Sequence, residues 1–276
     1  MGEAEVVAGT AQGTPVTVRR LVADLRALGV PEGGVVLAHS RLSALGWVAG
    51  GPEAVVEALL AVLGPDGTLV VPAFSTGRTE PSLWRHPPVP EAWWPVIRAE
   101  TPAFDPRTAS TRQMGAVADC VLRWPGARRS AHPHLSFGAV GPLAERVLEP
   151  HPLPFGLGEE SPLARLYELD AHVLLLGVGH VNNSSLHLAE ARAEYPAKRV
   201  EQQGAAVLAG GRREWVTFPE WETDDSDFPD VGAAFEASGA GVRAGPAGEG
   251  TARLMRQREL VDFGAGEIAR RRATGG

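Results

Sequence analysis

The sequence of 276 residues contains one cysteine and no long apolar run. The single cysteine, Cys120, excludes an internal disulfide and a cysteine-based zinc site, and it fits a reducing compartment. The longest strongly apolar stretch, Val173 to Val178, is far shorter than the roughly 18 residues that a membrane helix needs. Residues Met1 to Gly13 lack the basic start and the apolar core of a secretory signal. We therefore expect a cytoplasmic protein with no membrane partner.

The sequence also contains fewer basic than acidic residues. The 26 Lys and Arg residues are outnumbered by 33 Asp and Glu, and the net charge of -7 disfavours nucleic acid as a partner and favours a cationic one. The composition, with 44% hydrophobic and 21% charged residues, is that of a soluble globular protein. At this length we expect one large domain, present as a monomer or a homodimer.

Helix and strand patterns alternate along the first quarter of the chain. Thr17 can cap a helix that Gly29 ends, and apolar residues recur between them at helical spacing. The apolar run Val35 to Ala38 is followed by a loop, by a helix that Pro52 opens, and by a second strand, Thr68 to Val71. This strand–helix–strand order predicts a crossover between parallel strands.

The rest of the chain is predicted to continue this alternation around one long irregular segment. Residues 74–112 are rich in tryptophan and proline, have no sustained period, and are interpreted as a functional surface loop. The other predicted elements are helices over 115–123, 143–148, 163–169, 184–194, 231–237 and 250–260, strands over 135–140 and 173–177, and a hairpin with strands 205–208 and 214–218. The predicted fold class is therefore α/β, with a mixed central β-sheet flanked by helices.

The clearest candidate for chemistry is the segment Gly177 to Glu190, where an apolar strand ends in glycines just before a helix. Ligands of α/β sheets bind at that end of the strands. Asn183 or Ser184 can cap the helix and leave other first-turn amides free for an oxyanion. His187 and Glu190 share one helix face, and an imidazole near a helix start should stay neutral, as a general base requires. A half-buried structural histidine is the alternative interpretation.

Three other segments could hold charged ligands. The loop His39 to Gly51 could wrap a phosphate or a pantetheine chain, or form a plain tight turn, and it matches neither the phosphate-loop nor the dinucleotide pattern. Arg128 and Arg129 suit an anionic group, although such a pair is usually solvated surface. Between Glu214 and Val242 there are eight acids and no Lys or Arg, which is typical of a solvated loop or of a polyamine pocket. A serine hydrolase is disfavoured because the sequence lacks a Gly-x-Ser-x-Gly motif.

Several of these segments belong to a distinctive series. In chain order the series comprises His39-Ser40 with Gly50-Gly51, Phe104-Asp105-Pro106, Arg128-Arg129-Ser130-Ala131-His132-Pro133, Ser161-Pro162, and Leu174-Leu175-Leu176-Gly177 followed by His187-Leu188-Ala189-Glu190. From about Thr17 to Phe263 the chain resembles the aminoglycoside 3-N-acetyltransferase family. The resemblance implies an α/β fold of the antibiotic N-acetyltransferase type, distinct from the GCN5 type. It also implies one acetyltransferase domain over 14–270, with 74–112 as a variable loop region on the acceptor side.

The resemblance further implies a resistance enzyme that moves the acetyl group of acetyl-CoA, a cosubstrate, directly to the 3-amino group of an aminoglycoside without a metal. By position, His187 is the expected base, Glu222 the acid that orients or charge-balances it, and Glu190 a supporting residue. The expected contacts to acetyl-CoA are His39, Ser40, Arg41, Ser43, Ala44, Leu45, Gly46, Trp47, Val48, Arg128, Ser130 and Ser185. The expected contacts to the aminoglycoside are Glu222, Asp224, Asp225 and Phe74.

Some features depart from the family pattern and leave alternatives open. Arg41 and Ser185 stand where a small residue and threonine are common, and residues 74–100 have no counterpart in the family that we can align. An amine other than an aminoglycoside is therefore an alternative acceptor. A metal-dependent hydrolase with His180, His187 and Glu190 around zinc is a rival class, although the fixed zinc motifs are absent. A binding protein that only sequesters the drug is a third.

Overall fold

The computed structural model describes residues 3–10, 13–239 and 241–273. The helices are α1 Glu3–Thr10, α2 Val18–Leu28, α3 Gly51–Leu63, α4 Trp94–Glu100, α5 Ala116–Arg123, α6 Ala144–Leu148, α7 Pro162–Glu168, α8 Ser185–Arg192, α9 Phe228–Ala237 and α10 Gln257–Arg272. The strands are β1 Val35–Ser40, β2 Thr68–Pro72, β3 Arg128–Arg129, β4 Phe137–Val140, β5 His172–Leu176, β6 Val200–Ala209, β7 Arg212–Trp221, β8 Arg243–Ala247 and β9 Gly250–Arg256.

A seven-stranded mixed sheet forms the centre, in the order β3-β4-β2-β1-β5-β9-β8, and β6 pairs with β7 in a separate hairpin. Strand β1 runs parallel to both β2 and β5, whereas the remaining pairs are antiparallel. The chain leaves β1 toward β2 on one side and returns later to β5 on the other side. This reversal makes the carboxyl end of β1 the topological switch point of the sheet, where ligands of such folds bind.

The strands around the switch point are buried on both faces, which explains why they read as continuous apolar runs. Along β1, Val36 and Ala38 face one apolar cluster, whereas Val35 and Leu37 face the other. Helices α2, α3 and α5 cover the first face, and α6 to α10 cover the second. The predicted mixed α/β sheet between helices is therefore confirmed.

The expected N-terminal cap of α2 is present. The Thr17 side chain accepts a hydrogen bond from the Arg20 amide at 3.3 Å, and Gly29 ends the helix with φ of 88°. The N-terminal stretch, which we expected to be loose, instead contains α1 within the described residues, while Met1, Gly2, Ala11 and Gln12 lie outside them. None of the described helices has the length and apolar character needed to cross a bilayer.

The prediction of a helix over 250–260 is wrong. The chain forms β9 up to Arg256, and only then does α10 begin. Leu254 pairs with Leu174 of β5, and Ala252 with Leu176, so this segment completes the sheet beside β5. Residues with good helix propensity form a strand here because pairing with a buried strand overrides local preference.

The segment 74–112 is ordered by contacts with the hairpin of β6 and β7. It contains short 3-10 turns and α4, as expected of an irregular loop with helical turns. The Phe104 amide donates a hydrogen bond to the Ala206 carbonyl at 2.9 Å, and the Arg213 Nε donates to the Thr101 carbonyl at 2.8 Å. Within the segment, Arg98 forms an ion pair with the buried Glu80. The hairpin and this segment therefore support each other beside the sheet.

Candidate active site

A cavity of about 310 Å³ lies at the carboxyl ends of β1, β2 and β5. Its walls include His39, Ser40, Phe74, Ser184, His187 and Asp225. These residues come from four separate parts of the chain, and the topology of the sheet brings them together. A larger cavity of about 670 Å³ lies elsewhere, beside β3 and α5, but it lacks these groups.

His187 lies in the first turn of α8 and is held on two sides. Its Nδ1 lies 2.9 Å from Glu190 Oε2, and its ring packs edge-on against Phe228 with the centroids 4.8 Å apart. A carboxylate accepts hydrogen bonds but does not donate them, so this contact assigns a proton to Nδ1. In the neutral ring, Nε2 is then left with the lone pair that can accept a proton.

Glu190, which orients His187, is only 2% exposed. Its second oxygen, Oε1, accepts hydrogen bonds from the Asp224 amide at 2.8 Å and from Arg272 Nη1 at 2.6 Å. A buried carboxylate is tolerated when it is paired and hydrogen-bonded in this way. The hydrogen bond that orients His187 comes from Glu190, whereas Glu222 is exposed.

His39 lines the same cavity, at the carboxyl end of β1. Its side chain is 4% exposed, and Nε2 is buried without a partner among the described residues. Burial, and secondarily the charge of nearby His187, lower the pKa of His39 to about 3, so the ring is neutral. An unpaired buried polar group costs about 1–3 kcal/mol. Such a group on a cavity wall is one that a bound ligand can satisfy.

The first-turn amides of α8 are already used, contrary to our expectation that they are free for an oxyanion. The Ser185 amide donates to Asn183 Oδ1, and the Leu186 and His187 amides donate to the carbonyls of Asn183 and Ser184. These three amides are therefore not available to an oxyanion, and side chains that line the cavity are the candidates for that role. His39 and the hydroxyls of Ser40 and Ser184 have that position.

The loop after β1 packs directly on the end of β5. The Arg41 amide donates to the Leu176 carbonyl at 2.9 Å, and Gly177 turns with φ of 66°. A Cβ at Gly177 would lie 2.6 Å from the Ala44 Cβ, which explains the glycine. The loop borders a cavity of about 430 Å³ through Ser43 and the stretch from Gly46 to Val48.

Three residues expected to contact acetyl-CoA line neither the 310 Å³ cavity nor the 430 Å³ cavity. Leu45 is fully buried in the core, so its side chain cannot contact a ligand. Ser130 is 0% exposed and uses its hydroxyl to accept from the Phe137 amide and to donate to His151 Nδ1. Arg128 pairs with Glu145 and lines the larger cavity beside β3. Arg128 and Ser130 therefore support the structure around β3 and β4.

Ser185 also differs from expectation, because it is buried and is not among the residues that line the cavity. Within the described residues its hydroxyl has no partner. The side chain that does line the cavity at this point is the preceding Ser184. The start of α8 therefore presents Ser184 and His187, with Ser185 turned into the protein.

The acidic segment after β7 contributes to the site in several ways. Asp225 is exposed and lines the cavity, whereas the backbone amide of Asp224 donates a hydrogen bond to Glu190 Oε1. The Ser226 hydroxyl and amide hold the pKa of Asp224 below its usual value. Glu220 in β7 is also buried, although nothing in the sequence pattern distinguishes it from the other acids. Its carboxylate accepts from the Gly156 and Trp221 amides, while burial raises its pKa to about 6.

The ligand set of the rival zinc hydrolase does not converge. His180 is directed at α9, where its Nε2 lies 2.9 Å from Glu236 Oε1. Glu190 is bound by Arg272 and by the Asp224 amide. In the part of the chain that the structure describes, no group of three or more His, Cys, Asp or Glu side chains is arranged to hold a metal ion.

A histidine held by a buried carboxylate, at the switch point of a mixed sheet and beside an acidic segment, has the layout of an α/β enzyme. A family model described as aminoglycoside 3-N-acetyltransferase matches residues 37–268. The chain belongs to the aminoglycoside 3-N-acetyltransferase family and is a transferase.

Two curated relatives match over nearly the whole chain. The SPbeta prophage-derived aminoglycoside N(3')-acetyltransferase-like protein YokD of Bacillus subtilis strain 168 is 41% identical over 250 residues, covering 90% of this chain and 91% of the relative. Aminoglycoside N(3)-acetyltransferase VII of Streptomyces paromomycinus is 38% identical over 279 residues, covering 95% of this chain and 96% of the relative.

Solved structures agree with this assignment. The crystal structure of YokD from Bacillus subtilis superposes with a TM-score of 0.94 at 38% identity, covering 99% of this chain and 100% of that one. The binary complex of AAC-IIIb with CoASH gives a TM-score of 0.85 at 30% identity, and AAC-VIa bound to sisomicin gives 0.84 at 31%. Each comparison covers 95% of this chain and 100% of the neighbour.

Proposed function

We propose that the protein transfers the acetyl group of acetyl-CoA to the 3-amino group of an aminoglycoside, and that His187 is the general base. The observation that carries the proposal is the His187–Glu190 pair on the wall of a cavity at the switch point. The structural neighbours that bind CoASH and sisomicin support the two substrates. Acetyl-CoA as the donor and the low cysteine content both favour action in the cytoplasm, where the transfer would confer resistance.

The reaction requires the acceptor nitrogen as a free amine, because an ammonium group has no lone pair with which to attack a thioester. As the nitrogen bonds to the carbonyl carbon, His187 Nε2 accepts its proton and Glu190 stabilises the resulting imidazolium. The carbon–sulfur bond then breaks, and the proton held by His187 is returned to the thiolate as CoA leaves. Atoms and charges balance without a covalent enzyme intermediate.

The residues on the cavity wall fit a thioester. Negative charge develops on the thioester oxygen during attack, and a preorganised donor stabilises it most when water is excluded. The neutral, unpartnered imidazole of His39 can supply one N–H to that oxygen. The adjoining loop, with Ser40, Arg41, Ser43 and Trp47, is our proposed path for the rest of acetyl-CoA.

The aminoglycoside carries several ammonium groups, and the acidic segment provides carboxylates for them. Asp225 lines the cavity directly, and Glu222 and Asp224 are exposed nearby in the chain. Phe74 forms part of the opposite wall. We place the acceptor against these residues, with 74–112 as the loop region on the acceptor side of a catalytic domain spanning 14–270.

One observation favours a second candidate acceptor. A neighbouring cavity of about 430 Å³ shares Gln113 with the reaction cavity and is bordered by Trp84, Arg85, His86 and Arg112. Basic and aromatic side chains suit an anionic or aromatic group better than a polycation. An amine that carries such a group is therefore the alternative substrate.

The test is a thiol-release assay with acetyl-CoA and a panel of amines, in which the acetylated nitrogen is then located by NMR. We expect turnover with aminoglycosides such as sisomicin and gentamicin and acetylation at the 3-amino nitrogen. Acetylation of anionic aromatic amines alone would favour the second candidate. Aminoglycoside binding without thiol release would indicate a protein that only sequesters the drug, and would contradict the proposed transfer.

A further inference from the structure

We propose that Arg272 is a positioning residue, whose charge offsets that of Glu190 and thereby lowers the pH above which His187 can act as a base. The proposal deepens the proposed function and rests on it, because it takes His187 as the proton acceptor. Arg272 lies in the last turn of α10, far in sequence from α8. Its side chain is only 13% exposed.

Arg272 connects the His187–Glu190 pair to three other residues, Tyr195, Asp224 and Asp227. Its Nη1 contacts Glu190 Oε1 at 2.6 Å and the Tyr195 hydroxyl at 3.0 Å. Its Nε and Nη2 contact the two oxygens of Asp227 at 2.9 and 2.7 Å, and Nη2 also donates to the Asp224 carbonyl. A planar guanidinium with five donors can make this set of bonds, whereas an ammonium group cannot. The arginine therefore fixes Glu190 and the acidic segment relative to one another.

The charge of Arg272 is permanent over the working pH range. Burial works against the charged form, but hydrogen bonds and attraction to Asp227 and Glu190 raise the pKa of Arg272 above its usual value. The other ionisable groups that face the His187–Glu190 pair are His39 from β1, Glu220 from β7, Asp224 and Asp225 after β7, Asp227 at the start of α9 and Tyr195 after α8. Most of these groups are acids, so they favour a protonated ring.

The direction of the effect follows from the sign of the charges. Protonating His187 adds a positive charge, which Glu190 attracts and Arg272 repels. If Arg272 loses its charge, Glu190 and Asp227 are no longer offset, and the His187–Glu190 pair retains its proton to higher pH. A unit charge at this range, partly screened by the remaining groups, corresponds to a shift of about one pH unit.

The chain offers a matched control in the same helix. Arg270 is two residues away and carries the same charge, but its side chain is 68% exposed and pairs with Glu267 in its own helix. R270Q removes the same charge from a solvated position, where its effect on a distant pair is screened. D227N removes an acid that contacts Arg272, so it should lower the pH midpoint of the His187–Glu190 pair, whereas R272Q should raise it.

The experiment measures two titrations for the wild type, R272Q, R272K, R270Q and D227N. The first is the pH dependence of kcat/KM with acetyl-CoA and sisomicin, and the second is NMR titration of the His187 ring without substrates, assigned by comparison with H187Q. For R272Q we expect the acid limb and the ring midpoint to move up by about one pH unit, with much of the activity recovered at high pH. R272K keeps the charge, so its two midpoints should lie at least halfway back from the R272Q values to the wild-type values. D227N should lower both midpoints, and R270Q should change neither midpoint by more than about 0.2 pH unit.

A purely structural role for Arg272 would lower activity at every pH without moving either titration. The proposal is overturned if the ring midpoint of R272Q equals that of the wild type or of R270Q. If R272Q does not fold, an unmoved midpoint in D227N overturns it instead. If the wild type shows no transfer while the ring midpoints move as expected, the proposed function fails and the electrostatic role of Arg272 stands.

Discussion

Replacing Glu190 by glutamine tests the support that its carboxylate gives to His187. E190Q keeps the size and shape of the side chain. The hydrogen bond between His187 Nδ1 and the residue-190 side chain, which is 2.9 Å long in the wild type, then no longer involves a charged acceptor. A charge-assisted hydrogen bond exceeds a neutral one by about 1–2 kcal/mol, and roughly 1.4 kcal/mol is a factor of ten in rate. The imidazolium forms during the reaction, so the loss appears in kcat. We expect kcat to fall about 5- to 30-fold, with KM for both substrates little changed.

The same variant has a limited effect on stability. Arg272 loses one carboxylate partner but keeps Asp227 at 2.7 Å. We therefore expect a loss of about 1–3 kcal/mol in the free energy of unfolding, less than the 3–5 kcal/mol typical of a buried charge left with no partner. Urea unfolding at pH 7.5 measures this loss and shows that the variant is folded during the kinetic assay.

The assay is thiol release with acetyl-CoA and sisomicin each varied in turn at a saturating concentration of the other, with E222Q for comparison. Glu222 is exposed and Glu190 holds the ring, so E222Q should raise KM for the aminoglycoside and leave kcat within about twofold. The reasoning is refuted if E190Q keeps a kcat within twofold of the wild type. It is equally refuted if E222Q lowers kcat as much as E190Q does.

Three further predictions concern the rest of the site and the core. D225N should raise KM for sisomicin about two- to fivefold at unchanged kcat, because it removes one carboxylate from an exposed wall, and an unaltered KM would place the acceptor elsewhere. H39F should leave the free energy of unfolding unchanged or raise it by up to about 1 kcal/mol, while kcat/KM for acetyl-CoA falls at least about tenfold; a stable variant with normal kcat/KM would exclude a donor role. Acid should destabilise the protein: burial lowers the pKa values to about 3, 4, 3 and 3 for His39, His132, His134 and His151. Histidines in the unfolded chain have a pKa near 6.5, so below that pH the unfolded chain binds more protons than the folded protein does. The free energy of unfolding, which is unaffected above that pH, therefore falls by about 1 kcal/mol per ring by pH 5.5. The raised pKa of Glu220 offsets part of this loss, and equal urea midpoints at pH 7.5 and 5.5 would contradict the prediction.

The local part of the site could be predicted from the sequence. The strand that ends in glycines and the spacing of His187 and Glu190 on one helix depend only on neighbouring residues. The structure accordingly has β5, the turn at Gly177 and the hydrogen-bonded pair on α8 where the sequence indicates them. The mixed sheet followed from the same alternation of apolar strands and helices.

The contacts between distant segments could not be predicted in this way. Arg272 is one of three consecutive arginines, and only the packing of α10 against α8 decides which of them reaches Glu190. The family resemblance implies a ligand contact at Ser130, yet its hydroxyl is directed at His151 in the structure. The local pattern of β9 predicts a helix, whereas its pairing with β5, about 80 residues earlier in the chain, makes it a strand.

The role of His187 as the proton acceptor is tested most directly by the rate of acetyl transfer in H187A, measured at saturating acetyl-CoA and sisomicin between pH 6 and 9. General base catalysis typically contributes about 10²- to 10⁴-fold, so we expect kcat to fall by that factor and to lose its acid limb, while CoA affinity and the unfolding midpoint stay near those of the wild type. A correctly folded H187A that turns over at close to the wild-type rate, with the acid limb intact, would contradict the account.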